Sequence, residues 1–295
     1  MESNKTKALH YFIKEATVGE LNYVVDDIGN ILGNKDFLQE PEIIETLRSY
    51  YETHLSHQTV TGDKKVVVSQ KGRIESEPAN EPEGEGDAEP TGSKPSEFTY
   101  LDQARGIKFT LDVTTGECKI VSDSEKHEDE AVQGFKESLV ESVDKYIAED
   151  YKQNSTLGSV SIEGSDALTI DIEISCHNLN HKNFWGGEWL SRWNVKHTLN
   201  SNDFELTGKI IINNHYFEQG NIQFNLDKSF DTPISGTVKG SAQESIIALI
   251  SKTEETYQQS LEDLYEEIKD THMKSLRRKL PLTGKSFDWG VPKLI

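Results

Sequence analysis

Cysteine is nearly missing from these 295 residues. Cys118 and Cys176 stand alone and far apart, in neither a metal-ligand nor a redox spacing. That excludes a disulfide scaffold and a paired-cysteine zinc site, and fits a reducing compartment. Long apolar runs are absent too. No segment approaches the roughly 20 residues needed to cross a bilayer, and residues 1–14 lack the apolar stretch of a signal peptide. The expectation is a soluble, cytosolic chain, not a transmembrane one. Positive charge is scarce: 31 Lys and Arg stand against 51 Asp and Glu, a formal net charge of −20. Nonspecific binding to nucleic acid is thereby disfavoured for the body of the molecule, so an acidic partner must be met by a local basic patch. No glycine-rich phosphate loop, nucleophile elbow or internal repeat is present.

What is there reads as an α+β chain. Apolar residues at helical spacing predict helices over 5–16, 20–32 and 41–54, the last with Pro41 in its first turn. Short loops between them imply an antiparallel helical cluster over 1–56. A small β region over 57–122 follows, with strands over 64–69, 98–101 and 107–111. It is interrupted at 75–97 by eight acidic residues, four prolines and three glycines, with no aromatic or branched aliphatic side chain. A segment with nothing to bury cannot offset its ordering entropy, so it reads as a disordered insert; an acidic interaction tail is the other reading.

Residues 123–235 open with a helix over 129–151, and from Gly158 the apolar period becomes two. Leu168, Ile170, Ile172, Ile174 and Cys176 alternate with Thr169, Asp171, Glu173, Ser175 and His177, the pattern of a strand with one buried face. With strands over 160–163, 189–199, 204–217 and 221–227, joined by turns rich in turn formers, this makes a five-stranded antiparallel meander.

One long helix over 241–280, within a segment 236–280, is expected to cover that sheet. Ser241 and Glu244 form a capping box at its start, and Ile246, Ile250, Tyr257, Leu261, Leu264, Ile268, Leu276 and Leu280 give its apolar stripe. Its charge then reverses. From Met273 onward Lys274, Arg277, Arg278, Lys279, Lys285 and Lys293 are opposed by Asp288 alone. Two or three cations complement a helix C-terminus. Six, running into an amphipathic tail at 281–295 with Phe287 and Trp289, mark a docking segment.

Candidate chemistry elsewhere is thin. His177 and His181 stand four apart but bracket a strand exit without a neighbouring carboxylate or thiolate ligand, and His54 and His57 are similarly isolated. They read as surface or sheet histidines rather than metal ligands. Trp185, Trp189 and Trp193 read as sheet packing rather than a carbohydrate platform. A catalytic reading has no residues to rest on.

The block Asn183-Phe184-Trp185-Gly186-Gly187-Glu188-Trp189-Leu190-Ser191-Arg192-Trp193 resembles the alpha subunits of F-actin capping protein. So do Asn213-Asn214-His215-Tyr216-Phe217-Glu218-Gln219-Gly220-Asn221-Ile222-Gln223 and Met273-Lys274-Ser275-Leu276-Arg277-Arg278-Lys279-Leu280-Pro281, with weaker similarity at Gly19-Glu20-Leu21-Asn22 and Tyr100-Leu101-Asp102. The resemblance implies a non-enzymatic subunit without a cofactor. It implies pairing with a capping protein beta subunit, and capping of the fast-growing, barbed end of actin filaments that blocks subunit exchange without severing. It also implies a place in the cytoplasmic actin cytoskeleton and inhibition by phosphoinositides. Lys274 and Arg278 align with the family's basic actin-contacting positions, and Arg277, Lys285 and Trp289 join them as expected actin-binding residues. A third basic family position falls at Gly284 here, beside Lys285, and this tail is short. The competing reading is a phosphoinositide-binding cytoskeletal scaffold without capping activity.

Overall fold

The computed structural model describes residues 4–60, 64–74, 95–123, 130–151, 155–218 and 222–267. The chain divides into two compact units, residues 1–247 and 248–295.

The first unit begins with three helices, α1 (Asn4–Lys14), α2 (Leu21–Leu32) and α3 (Pro41–Thr53). α2 ends at Gly33, whose φ of 76° is a left-handed cap that glycine adopts without a Cβ clash. Pro41 occupies the first turn of α3, where its missing N–H costs nothing. After α3 come β1 (His57–Thr59), β2 (Lys65–Val67), β3 (Arg73–Ile74), β4 (Glu97–Asp102), β5 (Ile107–Asp112) and β6 (Glu117–Asp123). β1 and β2 pair as a two-stranded ribbon, and β3-β4-β5-β6 form an antiparallel sheet in that order. Leu9, Ile13, Ile43 and Leu47 from the helices share one core with Tyr100, Phe109 and Leu111 from this sheet. The helical cluster and small β region are therefore one packed module.

Two sequence expectations need correcting here. β1, β3 and β6 were not foreseen; β1 and β3 are too short to carry a period, and the apolar residues of β6 are few. Residues 75–94 lie outside the described residues, but 95–97, assigned to the insert by composition, belong to the fold. Glu97 starts β4, Ser96 is buried, and its carbonyl accepts the N–H of Val113.

A second layer follows. α4 (Glu130–Asp150) leads into β7 (Ser155–Glu163), β8 (Ala167–Asn180), β9 (Trp185–Thr198), β10 (Asp203–Tyr216) and β11 (Ile222–Thr237). They pair antiparallel in the order β11-β10-β9-β8-β7, the meander read from the alternation. Cross-strand registers such as Val160↔Ile172, Ile172↔Trp193 and Val195↔Leu206 place one apolar set on one face. α4 packs on that face. Val143 and Ile147 lie so close to Gly158 that a Cβ there would meet Val143 at 2.7 Å, and Phe135 stacks on His197 with 5.8 Å between ring centres. Trp193 is buried against Phe230 as a packing residue, and it fills the space a side chain at position 208 would need: a Cβ on Gly208 would meet its ring at 2.3 Å.

α5 (Ala242–Glu267) is the long helix as far as it is described; its expected continuation to 280 lies outside the described residues. The Oγ of Ser241 accepts the N–H of Glu244 at 3.3 Å, the N-cap half of the expected box. In the first unit its Ile246 and Ile247 are buried. In the second unit Ile250 and Leu261 continue the buried stripe, while residues 262–267 are exposed.

Candidate functional site

The expected actin-binding residues Lys274, Arg277, Arg278, Lys285 and Trp289 all lie outside the described residues. The most elaborate polar site among the described residues is instead internal to the first unit, where the second face of the five-stranded sheet meets the N-terminal module.

That face carries the polar half of the β8 alternation, and it is not solvated. Asp171, Glu173 and Ser175 are buried, contrary to a strand with one dry face. The reason is a partner for each group. Lys71 lies 2.9 Å from Asp171, which also accepts from Asn194 at 2.9 Å. Glu173 accepts from the hydroxyl of Ser69, with the Arg192 guanidinium 3.6 Å away. Burial pushes the Glu173 carboxyl upward, against the pull of Arg192. Buried polar groups matched in this way avoid the penalty of an unmade hydrogen bond.

At the centre lies a small apolar contact, Leu55 and Val67 against Leu190. Leu55 follows the end of α3 with φ 44°, a left-handed conformation that leucine adopts only under tertiary constraint. The twist inserts its side chain fully into the interface and aims its carbonyl at Ser175, which donates to it at 3.2 Å. Arg192, projecting from β9, donates to the carbonyls of Glu52 and Thr53 at 3.0 and 2.7 Å. A cation there satisfies the free carbonyls of the α3 C-terminus and complements its dipole.

Beside this contact three histidines come together, which their sequence separation concealed. His54 Nδ1 lies 2.9 Å from Glu188, and His177 Nε2 donates to the His54 carbonyl at 3.1 Å with Glu188 3.5 Å away. Asn213 donates to Glu188 at 2.7 Å. The rings of His57 and His177 lie 4.4 Å apart, and His57 Nε2 bonds the Ser175 hydroxyl at 2.6 Å. These histidines are interface residues rather than isolated surface ones; the side chain of His181 lies outside the described residues. Burial would raise the Glu188 carboxyl, but hydrogen bonds from His177, His54 and Asn213 outweigh it and hold the group at about 2. Burial, then the neighbouring His177 and Lys65, hold His57 down at about 3.

The arrangement docks the two layers against each other. Ser175 is fully buried with its hydroxyl committed to Leu55, so it is no accessible nucleophile. Among the described residues no three His, Cys, Asp or Glu side chains converge to hold a metal ion. Cys118 is pushed up to about 12 by burial, far from thiolate reactivity. Two clefts flank the histidines. One, of about 630 Å³, is lined by Tyr50, Tyr51, His57, Lys65 and His177. The other, of about 260 Å³, is lined by His54, Glu188, Asn213 and Asn214. The one signal for this site in the sequence was the polar half of β8 with Glu188 and Arg192 on the next strand. Nothing in the sequence paired them with His54 or Ser69.

Comparison with known proteins places these features in a family. A family profile described as F-actin capping protein alpha subunit matches residues 9–293. An F-actin-capping protein subunit alpha of Schizosaccharomyces pombe is 28% identical over 283 residues, covering 96% of this chain and 94% of the relative. That of Caenorhabditis elegans is 29% identical, covering 98% of this chain and 94% of its own. That of Arabidopsis thaliana is 28% identical, covering 97% and 88%. Among solved structures, a homodimeric actin capping protein alpha subunit from Plasmodium berghei shares the fold with a TM-score of 0.70. It is 18% identical, with 96% of this chain and 98% of that chain covered.

Proposed function

The chain belongs to the F-actin capping protein alpha subunit family, and from that premise we propose that it works as one half of a heterodimer with a capping protein beta subunit. The heterodimer binds the barbed ends of actin filaments and blocks gain and loss of subunits there without severing. The observation that carries this reading is the family match over residues 9–293, which takes in the basic stretch after Met273 as well as the body.

The physical argument concerns charge. A chain of net charge −20 approaches an acidic filament against long-range repulsion, so attraction must be concentrated locally. Lys274, Arg277, Arg278 and Lys285 supply that concentration, and Trp289 adds apolar surface that slows release. Lys274 and Arg278 stand four apart in sequence, the spacing that sets both on one helical face. The same cations are the point at which an anionic phosphoinositide headgroup competes. The workplace is the cytoplasmic actin cytoskeleton.

Elongation of pyrene-labelled actin from filament seeds tests the reading, using this chain purified together with a beta subunit. Saturable inhibition of barbed-end growth, with no rise in filament number, is expected. Unchanged barbed-end growth, with phosphoinositide binding retained, would make the chain an adaptor. Sedimentation of the chain expressed alone and with the beta subunit reads the assembly. The fold neighbour is described as homodimeric, so a stable self-dimer that excludes the beta subunit would overturn the heterodimer.

A further inference from the structure

Each layer of the first unit keeps an apolar interior of its own. The N-terminal module buries Leu9, Ile13, Ile43 and Leu47 with Tyr100, Phe109 and Leu111, and the five-stranded sheet receives α4 on its other face, with Val143 and Ile147 against Gly158. Between the layers the apolar contact is small: Leu55, Val67 and Leu190 are buried, with Leu157 and Ile211 half-buried beside them. The rest of the joint is polar. Arg192 donates to the α3 carbonyls, Arg105 donates to the Gly158 carbonyl at 2.9 Å, and Lys71 meets Asp171. Hydrogen bonds are exchanged for bonds to water at a modest net cost, so such a joint opens more readily than either apolar interior.

His57 sits in this joint with no place for a second ring proton. The Ser175 hydroxyl spends its one hydrogen on the Leu55 carbonyl, so at 2.6 Å it accepts the Nε2–H of His57. Nδ1 is then the acceptor nitrogen, and the Ser155 hydroxyl lies 3.3 Å from it. The neutral ring is satisfied as it stands. Facing it are Lys65 from β2, Arg105 from the turn after β4, and the His177 ring from β8, with 4.4 Å between ring centres. α3 contributes Tyr50 and Tyr51, both held neutral by burial, and no Asp or Glu is among the described residues that line the cleft beside the ring. The carboxylate of the cluster, Glu188, is already bonded to His54, His177 and Asn213. We propose that the joint is a proton-operated latch, in which a proton taken up at Nδ1 of His57 releases the α3–β1 corner from β8 and β9 while each layer stays folded. With the joint closed, burial, then His177 and Lys65, hold the ring at about 3, whereas a released ring in water titrates near about 6.5. The open state therefore takes the proton first, and opening is favoured as pH falls below about 6.5. Glu188, held at about 2, gains its proton well below that window. From about pH 7.5 to 5.5 the linkage multiplies the opening equilibrium roughly tenfold.

Thiol labelling of the full chain, read peptide by peptide by mass spectrometry and scaled to the denatured chain at the same pH, tests the latch. Leu190→Cys puts a thiol at the buried centre of the joint. Native Cys176, buried on the opposite face of the sheet, reports unfolding of the sheet itself. Between about pH 7.5 and 5.5 the scaled rate at position 190 is expected to rise roughly tenfold, while that at Cys176 changes less than about twofold. Adding His57→Gln, which keeps a neutral side chain in the joint, is expected to hold the rise below about threefold. Val67→Cys, on the other side of the contact, gives a second reading should Leu190→Cys disturb β9, and the same rise is expected. A rise at Cys176 equal to that in the joint, a rise undiminished by His57→Gln, or no rise at either joint position would each overturn the latch. None of these readouts involves actin, so their outcome is separate from that of the capping assay.

Discussion

Leu55 is the single residue on which the joint between the two layers of the first unit turns. It accepts an unfavourable φ of 44° in order to fill the apolar centre against Val67 and Leu190. Leu55→Ala keeps the strain and loses the filling, so a loss of about 2–5 kcal/mol is expected, as for other fully buried leucines. Urea denaturation of the purified complex measures it, and a loss below about 1 kcal/mol would mean the joint does not depend on this side chain. Next to it, His57 and Glu188 tie stability to pH in one direction. A histidine in an unfolded chain titrates near about 6.5, whereas folded His57 is held at about 3. Between those values the unfolded state binds the extra proton, so stability falls as pH drops below about 6.5. Glu188, depressed to about 2, contributes stability that is complete above its ordinary value of 4.5 and lost as pH falls toward 2. The slope from one group is at most about 1.4 kcal/mol per pH unit. His57→Gln should flatten the dependence between pH 6.5 and 4.5 and leave the steeper loss below it. An unchanged slope in thermal melts across that range would contradict the burial of a neutral His57.

At the scale of elements, what was legible in the sequence depended on period and length. The three opening helices, the meander and the start of the long helix were readable because each repeats a burial pattern over many residues, and because Pro41 and Ser241 mark their starts with local chemistry. β1 and β3 were not, since two or three residues define no period. The polar face of β8 was misread for a different reason. Alternation says which residues differ, and Asp171, Glu173 and Ser175 look solvated until Lys71, Ser69 and Leu55 arrive from a hundred or more positions away. The histidine cluster was hidden by the same nonlocality. The acidic insert shows the converse limit. Composition found a segment with nothing to bury, but overran the boundary into Ser96 and Glu97, which belong to β4 and its approach. The corrected expectation is that deleting 76–93 leaves the melting temperature within a few degrees and capping intact. A deletion carried through Glu97 should destabilise, because it removes the first β4 pairing, Glu97 with Asp112. Melting curves of the two deletions side by side check this, and equal effects would erase the distinction.

For the whole molecule, the described body and the proposed function occupy different parts of the chain. The first unit is a joint of two layers sealed by matched polar groups. The candidate actin-contacting residues all follow Met273, outside the described residues, so their share of the function rests on charge and on the family match. On the proposed reading, a body that is acidic overall leaves the attraction to the basic stretch after Met273. Ion pairs exposed to solvent are worth under about 1 kcal/mol, but pairs desolvated at an interface reach several times that. Replacing Lys274 and Arg278 by alanine should therefore weaken capping by roughly tenfold or more, at about 1.4 kcal/mol per decade, without moving the melting temperature or the beta-subunit affinity. The direct measurement is pyrene-actin elongation from filament seeds, titrated with wild-type and Lys274→Ala/Arg278→Ala heterodimer. A half-inhibition concentration at least tenfold higher for the double variant is the expected result, and equal concentrations would contradict a filament contact made by the basic tail.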